Sequence, residues 1–164
     1  MKNNVLRYVS LVLLIAWMCV IFKFSAQSAT VSDDLSDGLI EKVVSSIYPD
    51  YDLLDEQARR QVIERFSGPV RTAAHFSEFA VLGGLMFVFV WTFKKISVHL
   101  RLVITLAGGF VYAVSDEVHQ LFSEDRAFQI FDIMVDFCGV LLASTLCYLI
   151  ALRMLCLRGG KNEQ

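Results

Sequence analysis

The chain has 164 residues, of which 55% are hydrophobic and 2 are prolines, and its formal net charge is −2. Soluble domains average about 45–50% apolar residues, so this composition excludes a disordered segment and an ordinary soluble domain. The small net charge leaves no basic patch of the size that DNA or RNA binding needs, so we expect no nucleic acid among the partners. The composition predicts a one-domain integral membrane protein.

Four windows of 14 to 16 residues contain no charged side chain, at 8–22, 79–93, 102–115 and 137–152. A helix needs roughly 20 residues to cross a hydrocarbon core of ~30 Å, so each window must recruit polar flanking residues. We therefore predict an all-α membrane fold, a four-transmembrane-helix bundle within residues 5–152. The predicted spans are 5–24, 74–93, 101–121 and 130–152, and residues 153–164 are a predicted cytoplasmic tail.

The basic residues predict the orientation of these spans. Segments 1–7, 94–101 and 153–164 hold eight of the fifteen lysines and arginines, whereas the 23–74 connection and the 122–129 turn combine the other seven with eleven acids. The positive-inside rule then places both termini in the cytoplasm. A cleaved signal peptide is the competing interpretation of residues 1–28, but Lys23 interrupts the approach to its cleavage site.

The first extracytoplasmic loop, 25–73, has two helical patterns separated by Tyr48-Pro49-Asp50. We predict two short amphipathic helices that form a cap on the outer membrane surface, and a substrate lid is the alternative. Ser32 precedes the first helix, and Asp52 and Asp55 precede the second as N-cap candidates. The apolar faces consist of Leu35, Leu39, Val43 and Ile47 in the first helix and of Ala58, Val62 and Phe66 in the second.

Polar side chains gather at the predicted outer end of the spans. Helical spacing places them in three stripes. Glu117 lies about 100° around its helix from Asp116, so Glu117 must face a different neighbour. Ser25 and Gln27 end the first span at the same level, and Arg126 lies in the turn before the last span. The stripes are Arg71, His75 and Glu78; Asp116, His119 and Gln120; and Asp132 and Asp136.

A charged group at membrane depth costs ~2.5–3.5 kcal/mol, so these side chains should face the protein interior and meet in one outward-opening cavity. A purely structural ion network that locks the helices is one interpretation. A binding site is a second, formed by Ser25, Gln27, Arg71, His75, Glu78, Gln120, Arg126, Asp132 and Asp136.

A catalytic site is the third interpretation of these polar residues. His119 or Glu117 would be the general base, Asp116 or Glu78 would orient a histidine, and Arg126 would stabilise developing negative charge. A set such as His75, His119 and Asp136 could also hold a divalent metal. The sequence leaves the metal and any other cofactor open.

The complete motif string resembles the VanZ-like family over about residues 5 to 152. Two departures are visible: Thr72 replaces a usual lysine, and Glu124-Asp125 replaces a common Pro-Gly. Both change the charge at the outer rim. The motifs that carry the resemblance are Phe24-Ser25-Ala26-Gln27-Ser28, Arg71, His75-Phe76-Ser77-Glu78-Phe79, Tyr112-Ala113, Asp116-Glu117-Val118-His119-Gln120-Leu121-Phe122, Arg126, Asp132, Asp136 and Gly139.

The resemblance implies a small multi-pass protein of the bacterial cell membrane whose namesake raises resistance to teicoplanin and related lipoglycopeptides. We expect a site that binds a membrane lipid, a lipid-linked cell-wall precursor or the polar part of the antibiotic, with Arg71 and Arg126 contacting phosphate or carboxylate. The alternative is a membrane hydrolase or transferase that acts on an outer-leaflet lipid headgroup. A transporter would need polar groups deeper in the spans.

Overall fold

The computed structural model describes residues 2–26, 29–47, 51–123 and 128–159. These residues form five α-helices and a 3₁₀ turn at Tyr51–Leu53. Four of the helices, all except the second, are long and apolar enough to cross a membrane. The predicted all-α four-span fold is therefore confirmed. The helices are α1 (Lys2–Ser25), α2 (Ala29–Ile47), α3 (Glu56–Trp91), α4 (Val98–Gln120) and α5 (Ile130–Gly159).

The four long helices share a small apolar core and expose most of their remaining apolar surface. Large side chains such as Val111 and Ile130 are 67% and 68% exposed. Contiguous apolar surface of this extent requires a hydrocarbon environment, and acyl chains supply it. The core consists of Leu14, Ile21, Phe79, Leu82, Ala113, Ile133 and Val140.

Two glycines allow α3 and α5 to approach each other closely. A Cβ atom on Gly83 would lie 2.7 Å from the carbonyl oxygen of Val140, and a Cβ on Gly139 would collide with the carbonyl oxygen of Phe76. Small residues at such crossings let helix backbones touch within a membrane. The contact at Gly139 also brings the turn of α5 that contains Asp136 beside the turn of α3 that contains His75.

Helix α3 is longer than the sequence predicts. The sequence suggests a separate loop helix followed by a span from residue 74, whereas the structure has one helix of 36 residues that begins at Glu56. Asp55 is its N-cap, as predicted, and accepts a hydrogen bond of 2.7 Å from the backbone N–H of Ala58. Gly68 and Pro69 lie inside the helix without ending it. The length is about 54 Å, so about 24 Å extends beyond a hydrocarbon core of ~30 Å.

The apolar faces predicted for the first loop meet between α2 and the first half of α3. They line a cavity of about 860 Å³ that includes Leu39, Val43, Ala58, Val62 and Phe66. The side chains of Leu35 and Ile47 lie outside the described part of the chain, as do those of Ser32 and Asp52. At the other end of the chain, α5 continues beyond residue 152 to Gly159, so much of the predicted tail is helical.

Arginines join the helices at the end of the bundle opposite Ser25. The guanidinium of Arg101 lies 4.3 Å from the ring centroid of Trp91 and donates a hydrogen bond of 3.0 Å to the carbonyl oxygen of Phe93. Arg7 lies over the ring of Phe93 at 4.4 Å and donates to Thr92. These cation–π contacts fix the ends of α1, α3 and α4 relative to one another.

Candidate functional site

The end of α1 is attached to α4 through a buried carboxylate. The hydroxyl of Ser25 donates a hydrogen bond of 2.7 Å to Oδ2 of Asp116. Gln120, one turn further along α4, donates to the same oxygen from Nε2 at 3.0 Å. Hydrogen bonds to a carboxylate are stronger than those between neutral groups, so these two donors hold Asp116 in one orientation.

A second buried carboxylate lies on α5 and faces α3. Oδ1 of Asp136 is 3.6 Å from Nδ1 of His75, and Asp136 is 0% exposed. Among the described residues, neither of its carboxylate oxygens has a hydrogen-bond partner. This is unusual because buried polar atoms are nearly always hydrogen-bonded.

The two carboxylates and the histidine form one group. One ligand atom each from His75, Asp116 and Asp136 lies within 4.8 Å of the other two. We define these three residues, with Ser25 and Gln120, as the polar cluster. Helices α1, α3, α4 and α5 each contribute to the polar cluster. These are the helices that contain the end of the first predicted span and the three predicted stripes. The nearby acids that interact electrostatically with Asp136 are Glu78, Asp116, Glu117 and Asp132.

Glu117 faces a different neighbour from Asp116, as its helical position predicts. It is 1% exposed, and its Oε1 accepts a hydrogen bond from the backbone N–H of Gln129, immediately before α5. Glu117 therefore fixes the start of α5 relative to the end of α4. Gln129 gives no sequence signal for this role, because the bond uses its backbone.

His119 does not join the group formed by His75 and Asp136. Its ring stacks on Phe22 of α1 with a centroid distance of 3.9 Å and an interplanar angle of 16°. Its buried Nε2 has no hydrogen-bond partner in the part of the chain that the structure describes. The sequence-based prediction omitted Phe22, although it precedes Ser25 by three residues and therefore lies on nearly the same face of α1.

The remaining predicted site residues lie around the cluster or outside the described residues. Arg71 is half-buried, one turn before His75 on α3, and Glu78 and Asp132 are also half-buried. The backbone carbonyl of Glu78 accepts a hydrogen bond of 2.9 Å from Nε1 of Trp17 on α1. Gln27 and Arg126 lie outside the described residues.

One known protein family matches most of this chain. A family model described as VanZ/LLP1 matches residues 10–151, which is most of the chain and includes the whole polar cluster. The chain belongs to the VanZ/LLP1 family. No curated protein matches it, and no solved structure does. Family membership and the four apolar helices together indicate a multi-pass membrane protein. The family is linked in general terms to resistance.

Two cavities of this VanZ/LLP1 protein lie apart from the polar cluster. The first is the apolar cavity of about 860 Å³ between α2 and α3. The second, about 790 Å³, lies between α3 and α5 and is lined by residues such as Pro69, Phe131 and Cys138. Neither cavity is lined by an acid of the cluster.

The polar cluster of this VanZ/LLP1 protein offers two kinds of chemistry. A histidine beside a carboxylate can accept and return a proton if a reacting group reaches it. The same imidazole and carboxylates can also bind an amine, a hydroxyl group or a cation. The rest of each span is mainly apolar, so both kinds of chemistry are confined to one end of the bundle.

Proposed function

We propose that this VanZ/LLP1 protein binds the polar headgroup of a membrane lipid or lipid-linked cell-wall precursor at the polar cluster. Through this binding it contributes to teicoplanin-type lipoglycopeptide resistance or to cell-envelope homeostasis. The observation that carries the proposal is the convergence of polar side chains from four helices on one end of the spans, where Ser25, Asp116 and Asp136 are buried and His75 is half-buried. A group that only locks helices would satisfy its own polar atoms, whereas the oxygens of Asp136 lack hydrogen-bond partners among the described residues.

The chemistry of the cluster suits a headgroup that carries hydrogen-bond donors. Asp116 and Asp136 are acceptors, and Arg71 lies one turn away on the helix that contributes His75. An arginine and two carboxylates can together recognise phosphate and hydroxyl or amino groups on one headgroup. The distribution of basic residues along the chain supports an outward-facing cluster, and the source of such a headgroup is then the outer leaflet.

The second candidate function is a membrane hydrolase or transferase that acts on the same class of headgroup. The pair of His75 and Asp136 favours it, because a carboxylate that faces an imidazole can orient it as a general base. The general-base role predicted for His119 would then belong to His75. The two candidate functions use the same site. They differ in whether the bound lipid is released with a chemically altered headgroup.

Teicoplanin susceptibility of a sensitive Gram-positive host tests the resistance role. Wild type should raise the minimum inhibitory concentration, and His75→Gln at matched membrane levels should return it toward the vector control. His99→Gln is the matched control, because His99 is exposed near the opposite end and contacts Tyr148. Full protection by His75→Gln would contradict a role for the cluster, and no protection by wild type would contradict the resistance role.

Lipids that co-purify with the protein distinguish the binder from the enzyme. A binder should show a lipid adduct in native mass spectrometry that weakens in Asp116→Asn and persists in His99→Gln. An enzyme should release the added lipid with an altered headgroup after incubation. An adduct of equal occupancy in wild type and Asp116→Asn would contradict binding at this cluster.

A further inference from the structure

The group of His75, Asp116 and Asp136 has the composition of a transition-metal site. The three side chains come from α3, α4 and α5, and one ligand atom from each lies within 4.8 Å of the others. We propose that these residues bind one divalent ion of the zinc class, with the imidazole nitrogen and two carboxylate oxygens as ligands. The inference does not depend on lipid binding, because the ion can be measured directly.

The separations are close to those that such an ion requires. Two tetrahedral ligands with bonds of about 2.0–2.2 Å to Zn²⁺ lie about 3.3–3.5 Å apart. Nδ1 of His75 and Oδ1 of Asp136 are 3.6 Å apart. None of the other separations is above 4.8 Å, so binding would require these ligand atoms to move closer together.

Asp136 supplies the independent evidence for a ligand. Asp136 is 0% exposed, and within the described ranges neither of its carboxylate oxygens is hydrogen-bonded. An ionised carboxylate in that position is strongly unfavourable unless a cation compensates its charge. A divalent ion between Asp116 and Asp136 would neutralise both charges and occupy the free oxygens of Asp136.

Asp116 is already oriented as metal ligands usually are. Ser25 and Gln120 both donate to its Oδ2, and in this proposal Oδ1 is the ligating atom. Hydrogen bonds to the non-ligating atom of a ligand fix its direction, and their removal typically weakens metal affinity about 10–100-fold. Ser25 and Gln120 are therefore positioning residues in this proposal.

The ligand set selects the class of ion and leaves room for a further ligand. An imidazole nitrogen favours Zn²⁺ or a neighbouring first-row metal over Mg²⁺ and Ca²⁺, which prefer oxygen alone. Three protein ligands leave at least one coordination position open, as in zinc sites that bind water or substrate. An oxygen of a phosphate or carboxylate group could occupy that position.

Metal titration of the 164-residue chain in nanodiscs tests the proposal. After EDTA treatment, Zn²⁺ is titrated against a chromogenic chelator, and the multiple-scattering signal of imidazole in X-ray absorption reports whether a histidine is a ligand. Wild type should bind one Zn²⁺ per chain through nitrogen and oxygen. His75→Gln and Asp136→Asn should each weaken binding at least ~100-fold, and Ser25→Ala about 10-fold. His99→Gln should bind like wild type.

Two results would overturn the site. One is wild type without stoichiometric Zn²⁺, or with bound Zn²⁺ that shows no imidazole signal. The other is unchanged affinity in both His75→Gln and Asp136→Asn. The thermal stability of the metal-free proteins separates ligand loss from misfolding, since Asp136→Asn removes a buried carboxylate without hydrogen bonds and should melt no lower than wild type. These experiments measure Zn²⁺ binding alone. A negative result would therefore overturn the metal site without contradicting the lipid-binding proposal.

Discussion

Asp116 connects three parts of the molecule through one carboxylate. Ser25 reaches it from α1, Gln120 reaches it from the next turn of α4, and His75 lies close to it on α3. A second hydrogen bond holds the end of α1, since the backbone carbonyl of Ser25 accepts a hydrogen bond of 3.3 Å from the hydroxyl of Ser123. Two hydrogen bonds of Ser25 and the stack of Phe22 on His119 therefore hold this end of α1.

Replacement of Ser25 with alanine should destabilise the fold by about 1–2 kcal/mol, because a buried carboxylate loses a donor. The free energy of unfolding in mixed detergent micelles measures this effect. Ser77→Ala is the matched control, since Ser77 is exposed and its hydroxyl bonds to Ala73 of the same helix. A loss for Ser77→Ala as large as that for Ser25→Ala would show that the contact with Asp116 contributes nothing specific.

At the scale of elements, the closest packing in the described bundle joins α3 to α5 through glycine. Gly139→Ala and Gly83→Ala should each cost about 1–3 kcal/mol, because the added methyl group meets backbone atoms that cannot rotate away. The same unfolding measurement tests this. Gly84→Ala is the control, because no described atom lies within 4 Å of the position that its methyl group would take. There the higher helix propensity of alanine should be neutral or stabilising, by up to about 1 kcal/mol. Equal losses at all three glycines would contradict the packing argument.

The elements show how far the sequence could predict this fold. Charge-free windows identified all four spans, because a charged side chain is costly in hydrocarbon. They could not give the length of α3, since apolarity marks the part of a helix that lies in lipid and not the position where the helix ends. Gly68 and Pro69 suggest a break, but Pro69 removes only one backbone hydrogen bond, and the helix continues through it.

The sequence predicts the position of the site residues along the helix axes, but it predicts only part of how their side chains are directed around those axes. Spacing predicts His75 and Asp136 at one level, because helical rise depends on residue number alone, and the two side chains lie 3.6 Å apart. Their convergence with Asp116 depends on how far each helix rotates about its axis, and that rotation is set by packing such as the contact at Gly139. His119 illustrates the difference: it shares a stripe with Asp116, yet Phe22 holds its ring.

At the scale of the whole molecule, the distribution of basic residues predicts that the polar cluster faces outward. In a variant without its four native cysteines, Leu53→Cys should react with a membrane-impermeant maleimide in intact cells. Lys95→Cys, at the opposite end of the bundle, should react only after permeabilisation. Both positions are exposed, so accessibility within the protein does not bias the comparison. The reverse pattern would place the cluster on the cytoplasmic side and would exclude the outer leaflet as its lipid source.

The uninterrupted course of α3 has a mechanical consequence. One helix carries both the α3 part of the apolar cavity's lining, from Ala58 to Val70, and His75 in the polar cluster. An α-helix transmits rotation and axial displacement along its length, so a molecule that shifts the projecting half of α3 also moves the imidazole relative to Asp136. Gly68 and Pro69 are the one place in α3 where a missing backbone hydrogen bond and a missing side chain could absorb such a movement. We therefore expect the bending stiffness of α3 at Gly68 and Pro69 to set how far a displacement of its projecting half moves the half-buried His75.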